Sequence, residues 1–124
     1  MILRVSINAR DPRHVAEVLA QILDCRIVAA LGGWTLRGAD GPDLEITSRH
    51  ETSPLADESR VALSTSRTIA EVFAVAGREG WPARYRRSQG SAGTIELLIE
   101  GDRIVEVLTA EMQADYREKM QATD

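Results

Sequence analysis

The sequence predicts an α+β fold of two tandem βαβββ modules sharing a mixed sheet, and three observations carry that expectation. The order of strand, capped helix and hairpins occurs twice along the chain. Both copies open alike, on Arg4-Val5-Ser6-Ile7 and Arg60-Val61-Ala62-Leu63. Both close on an apolar strand with a central glutamate, Leu44-Glu45-Ile46 and Val105-Glu106-Val107. Self-similarity of this kind sets the architecture before any single element is read. It implies a first module over 3–48, a connection over 49–59, a second module over 60–109 and a C-terminal helix over 110–124. At 124 residues the chain suits a single domain with a sizeable core.

Leu3, Val5, Ile7 and Ala9 alternate with Arg4, Ser6, Asn8 and Arg10, the period-two pattern of a strand with one apolar face. Asp11-Pro12 then opens a helix, because aspartate caps well and proline fits the first turn. Val15, Val18, Leu19, Ile22 and Leu23 form one apolar stripe, and the helix should end near Asp24. Arg26–Leu31 reads as a strand, Gly32-Gly33 as a break, and Trp34–Arg37 as resumed extended structure. Asp40-Gly41-Pro42 is a turn, followed by a strand over Asp43–Ser48. Arg49 to Ser59 contains Pro54, three acidic residues and little apolar content, so it connects the copies.

The second copy restarts with a strand over Val61–Thr65. Thr68-Ile69-Ala70-Glu71 has the form of a capping box, and Ile69, Val72, Phe73 and Ala76 make the expected buried stripe. Gly80 stops this helix and Pro82 prevents its resumption. Arg84 to Gln89 should be extended, and Gly90 to Gly93 should turn. Thr94–Glu100 and Arg103–Leu108 are then two strands joined at Gly101-Asp102. Met112, Tyr116 and Met120 recur every fourth residue, predicting a terminal helix that packs one stripe on its own domain or on a second copy.

Composition narrows the function classes. A net charge of −4, with no basic stripe interleaved with aromatics, argues against nucleic acid. The one basic cluster, Arg84, Arg86 and Arg87, reads as a solvated hairpin. Cys25 is the single cysteine, which excludes an internal disulfide and a zinc ribbon, and its place after an apolar helix suggests a buried structural thiol. The opening residues lead straight into a strand without a signal-peptide core, and no apolar run is long enough for a membrane span. The expectation is a cytoplasmic protein with neither nucleic acid nor membrane as partner. Neither His14, in a first helical turn, nor His50, in the connection, has the companions of a catalytic triad. Trp34 and Trp81 read as core or interface anchors.

The module pair resembles the vicinal oxygen chelate superfamily, whose members include glyoxalase I, extradiol dioxygenases, bleomycin-resistance proteins and fosfomycin-resistance enzymes. The local matches are to the family's opening His-Val-x-Leu-x-Val-x-Asp, at Arg4-Val5-Ser6-Ile7-Asn8-Ala9-Arg10-Asp11 and at Arg60-Val61-Ala62-Leu63-Ser64-Thr65. Its closing pattern is met by Asp43-Leu44-Glu45-Ile46 and by Asp102-Arg103-Ile104-Val105-Glu106-Val107. The resemblance implies a curved, cup-shaped sheet with helices on its convex face. It also implies metal ligands on the first and last strand of each module, which here fall on Arg4, Glu45, Arg60 and Glu106. A guanidinium stays protonated and offers no lone pair, so the arginines cannot ligate. The expectation is therefore no metal and no cofactor, with an Arg/Glu quartet in the metal's place.

Strand alternation adds Ser6, Asn8 and Ser64 to these four, together with Thr47, Ala62 and Leu108 on the same face. Such a lining suits a small organic molecule that is polar or zwitterionic, which makes a metal-free binding protein like the bleomycin-resistance branch the leading expectation. The alternatives are a metal-dependent lyase, isomerase or dioxygenase of the superfamily, and a degenerate dimerisation module. Family practice and the Met112/Tyr116/Met120 stripe together point to a homodimer.

Overall fold

The computed structural model describes residues 3–30, 33–38, 41–48, 61–87 and 90–122. The chain divides into two compact units, Met1–Ala56 and Asp57–Asp124. The expected α+β architecture is present, as two four-stranded mixed sheets with helices in βαβββ order. Arg49 to Ser59, His50 and Arg60 lie outside the described residues.

The first unit contains β1 (Arg4–Ala9), α1 (Pro12–Leu23), β2 (Arg26–Ala30), β3 (Gly33–Arg37) and β4 (Asp43–Ser48). Asp11 caps α1 by accepting from the His14 N–H at 3.2 Å, and Asp24 ends it in the left-handed conformation. The sheet order is β1-β4-β3-β2, with β1 parallel to β4 and the other neighbours antiparallel. Alternation decides the faces: Ile7, Ala9, Leu36, Leu44 and Ile46 are buried on the side that meets Val15, Val18, Leu19 and Ile22 of α1. At roughly 1.5–3 kcal/mol for each large aliphatic side chain taken from water, this packing dominates the unit's stability. Gly33 is required by close approach, since a Cβ there would meet the Ile46 carbonyl oxygen at 2.2 Å. Cys25 is half-buried rather than buried, because it follows the helix at its open end.

The second unit contains β5 (Ala62–Ser64), α2 (Ile69–Glu79), β6 (Ala83–Arg86), β7 (Thr94–Ile99), β8 (Arg103–Leu108) and α3 (Ala110–Ala122). Its order, β5-β8-β7-β6, repeats the first sheet, with β5 parallel to β8. The capping box at α2 is complete: Thr68 Oγ1 accepts from Glu71 N–H at 3.1 Å, and Glu71 Oε1 accepts from Thr68 N–H at 3.0 Å. Gly80 closes the helix in the left-handed conformation.

The expected stripe on α2 is corrected here, and on α3 the chain itself covers only the first residue of the other. On α2 only Val72 and Ala76 are buried, while Ile69 is 38% exposed and Phe73 half-buried. On α3 Met112 is buried but Tyr116 and Met120 are 58% and 51% exposed. Sequence periodicity places residues on one face, but the extent of the surface beneath that face decides how many are covered. Here α2 packs chiefly on the edge strand β6, and α3 on β8. The core is completed by Trp81 and by Ile95, Leu97, Ile99, Val105 and Val107 of the two central strands.

Candidate functional site

The polar face of each sheet gathers the charged residues that alternation predicts, but the two faces pair them differently. In the first unit Arg4 and Ser6 are exposed, while Asn8, Glu45 and Thr47 are half-buried. The β1/β4 register sets Ser6 beside Glu45 and Asn8 beside Thr47. Arg4 Nη1 reaches diagonally to Glu45 Oε2 at 3.2 Å. Further along the sheet Arg37 grips Asp43 with two bonds, Nε to Oδ1 at 3.1 Å and Nη2 to Oδ2 at 2.9 Å. That fork holds the Asp43 carboxyl below its usual range, chiefly through the hydrogen bond.

In the second unit the hairpin β7–β8 turns through Glu100 and Gly101, both at positive φ, and this turn sets Glu96 directly opposite Glu106. Like charges facing each other across antiparallel strands repel. One of them is neutralised: Glu96 Oε1 receives Arg84 Nη2 at 2.9 Å and lies 3.6 Å from Arg86 Nη1. The Glu96 side chain is only 6% exposed. Glu106 is half-buried, and its carboxylate enters no hydrogen bond or ion pair among the described residues. Both carboxylates line a cleft of ≈ 440 Å³ whose other walls are Arg86, Arg87, Ser91, Gly93 and Thr94.

The residues singled out from sequence are thus distributed. Arg4 and Glu45 are brought together, with Ser6 next to Glu45 on the same face. Arg60 lies outside the described residues. Ser64 is exposed on β5, opposite Leu108 and one step along the face from Ala62, the partner of Glu106. Sequence reasoning passed over Glu96 and read Arg84, Arg86 and Arg87 as solvated, although Glu96, Arg86 and Arg87 line the cleft with Glu106 and Arg84 neutralises Glu96. The missed signal was the Gly101 turn, which counts Glu96 into register with Glu106.

No protein-family model and no curated protein matches the sequence. Solved structures do match. A fosfomycin resistance protein, FosX, from Listeria monocytogenes, solved with Mn(II) and sulfate, superposes with a TM-score of 0.69 at 13% identity, covering 96% of each chain. The trypanothione-dependent glyoxalase I of Leishmania major gives 0.66 at 18% identity, over 100% of this chain and 99% of that one. The oxidase ChaP-H2 gives 0.68 at 14% identity, over 88% and 92%. The chain has the vicinal oxygen chelate fold.

Proteins of this fold include ones with a divalent metal, as in FosX solved with Mn(II), and the described residues at the corresponding positions do not fit one. At the first-strand position stands Arg4, whose guanidinium is a donor only and already occupies an oxygen of Glu45. In the second unit the paired carboxylates lack an imidazole companion, and Glu96 is committed to arginine. No group of three or more His, Cys, Asp or Glu side chains is arranged to hold a metal ion among the described residues.

Proposed function

We propose that the protein binds a small zwitterionic organic molecule in the cleft of its second unit, without a metal. The observation that carries this reading is Glu106, whose carboxylate has no partner among the described residues, in a cleft whose other carboxylate, Glu96, is already paired with arginine and whose remaining walls are guanidinium, hydroxyl and backbone groups. Desolvating such a carboxylate is unfavourable until a cation or hydrogen-bond donor meets it. A ligand's ammonium or amide satisfies Glu106, and its anionic end meets Arg86 and Arg87, whose planar donors suit a carboxylate. Ser91 and Thr94 supply neutral hydrogen bonds between the two ends. The fold neighbours include an oxidase, a glyoxalase and a fosfomycin resistance protein, so a small organic ligand accords with the architecture.

The test is titration of the full chain with the ω-amino acids from glycine to 6-aminohexanoate, followed by NMR. Saturable shifts at Thr94 and Glu106, lost in Glu106→Gln with the fold intact, are expected. No saturable binding by any member, or undiminished binding in Glu106→Gln, overturns the reading.

A second reading, a dimerisation module, is favoured by the exposed Tyr116 and Met120 on α3. Sedimentation at micromolar concentration tests it. A single 13.6 kDa species rules out a stable homodimer.

A further inference from the structure

We infer that Asp115, on α3, is the positioning residue that fixes the loop wall of the second-unit cleft. The inference rests on reading that cleft as the ligand site. Ser91 and Gly93 line the cleft, and Ala92 lies between them. Ala92 has no side chain with which to anchor itself, so the placement of this wall depends on its peptide groups. Side chains from two other elements hold both. Its N–H donates to Asp115 Oδ2 at 3.1 Å, and its carbonyl accepts from the Tyr85 hydroxyl of β6.

Among the described residues, the other bonds of the loop run to itself and to its near neighbour. Arg87 Nε donates to the Ser91 carbonyl at 2.8 Å, and the Gly93 N–H donates to Ser91 Oγ at 3.0 Å. Gly93 leaves no room for adjustment, since a Cβ there would fall 2.6 Å from the Arg86 carbonyl oxygen at φ +89°. Asp115 is therefore a long-range polar anchor from α3 on this loop.

Its own position is well determined. Lys119, one turn on, contacts Asp115 Oδ2 at 3.1 Å. The preceding turn of α3 is fastened to strand ends: Gln113 Nε2 donates to the carbonyls of Thr65 at 3.2 Å and Leu108 at 2.8 Å, and Met112 is buried. The Asp115 carboxyl is held below its usual range, first by the Ala92 N–H and then by Lys119, as expected of an acceptor kept ionised. A fixed helix thus transmits its position through one carboxylate to the wall that faces Glu106.

The test uses the full chain labelled with ¹⁵N, comparing the unsubstituted protein with Asp115→Ala, Asp115→Asn and Lys119→Ala. Asp115→Ala is expected to speed amide exchange at Ala92 by about tenfold and to shift Ser91, Gly93 and Thr94. Asp115→Asn keeps an oxygen acceptor and restores slow exchange, and Lys119→Ala, which removes one of the contacts that place Asp115, speeds Ala92 exchange by less than Asp115→Ala does. Unaltered Ala92 exchange in Asp115→Ala overturns the inference. So does an Asp115→Asn protein as perturbed as Asp115→Ala, because the effect would then be general destabilisation. These readouts need no ligand, so they stand apart from failure of the binding reading. If an ω-amino acid binds the unsubstituted protein, Asp115→Ala must weaken it and Asp115→Asn must recover it; equal affinity in all three also overturns the inference.

Discussion

The two units share one topology but spend their charges in opposite ways. In the first, Arg4 meets Glu45 and Arg37 meets Asp43, so carboxylates on the polar face are matched by guanidiniums. In the second, Glu96 and Glu106 stand opposite each other, and the edge-strand arginines neutralise Glu96 while the Glu106 carboxylate, beside a cleft, has no partner among the described residues. The cores differ in the same direction. α1 buries Val15, Ala16, Val18, Leu19 and Ile22, whereas α2 buries only Val72 and Ala76. The first unit combines a helix whose apolar face is buried along its length with carboxylates that are matched on the polar face. The proposed ligand cleft lies in the other unit, with a carboxylate unmatched among the described residues and a loop wall held from α3.

The largest expected effect tests the cores. Ile22→Ala in α1 should cost about 2–5 kcal/mol, since Ile22 is fully buried. Ile69→Ala, at the start of α2 and 38% exposed, should stay within about 0.5 kcal/mol. Urea unfolding curves measure both, and equal losses would break the comparison.

Next comes the charge contrast. Replacing Arg84 and Arg86 together by alanine strips guanidiniums from a carboxylate that is 6% exposed, an expected loss of about 1–3 kcal/mol. Arg4→Ala in the first unit exposes Glu45 to water and should cost at most about 1 kcal/mol, since Arg4 is itself largely solvated. Similar losses at the two sites would remove the distinction drawn between the faces.

Acid should act on both units. Asp43, Glu71 and Asp115 each have a folded-state pKa below the ordinary value. Such groups stabilise the fold above their unfolded pKa, about 4, and lose that contribution as pH falls through the lower folded values. Thermal scans should therefore show a steady Tm from neutral pH to about 5 and a decline below about 4. Asp43→Asn, which takes the contribution from the first unit alone, should flatten only part of that decline.

The smallest effect concerns Cys25. Burial, and then the Asp24 carboxylate, push its thiol pKa up, so less thiolate is present at neutral pH. Alkylation by iodoacetamide at pH 7 should be slower than for an unfolded chain, and it should match the unfolded rate once denaturant is added.

Local chemistry determined much of this protein in advance. The Asp11-Pro12 opening and the stripe from Val15 to Ile22 mark α1, which spans Pro12–Leu23. The capping box at Thr68 and the stop at Gly80 bound α2, and the alternation over Asp43–Ser48 and Arg103–Leu108 marks the closing strands. These signals act within one or two turns, so the chain carries them regardless of what lies nearby. The repeat made the fold legible for the same reason: each copy states its plan locally.

Tertiary structure alone decided the rest. Whether Ile69, Phe73, Tyr116 and Met120 are covered depends on the surface each helix finds, and α2 and α3 find little. The cations of β6 meet a carboxylate because pairing with β7 brings Arg84 beside Glu96. Asp115 gained its hold on Ala92 from a contact 23 residues away in sequence. Period and capping are properties of a segment. Burial, register and the neutralisation of one glutamate but not its neighbour belong to segments that meet only on folding.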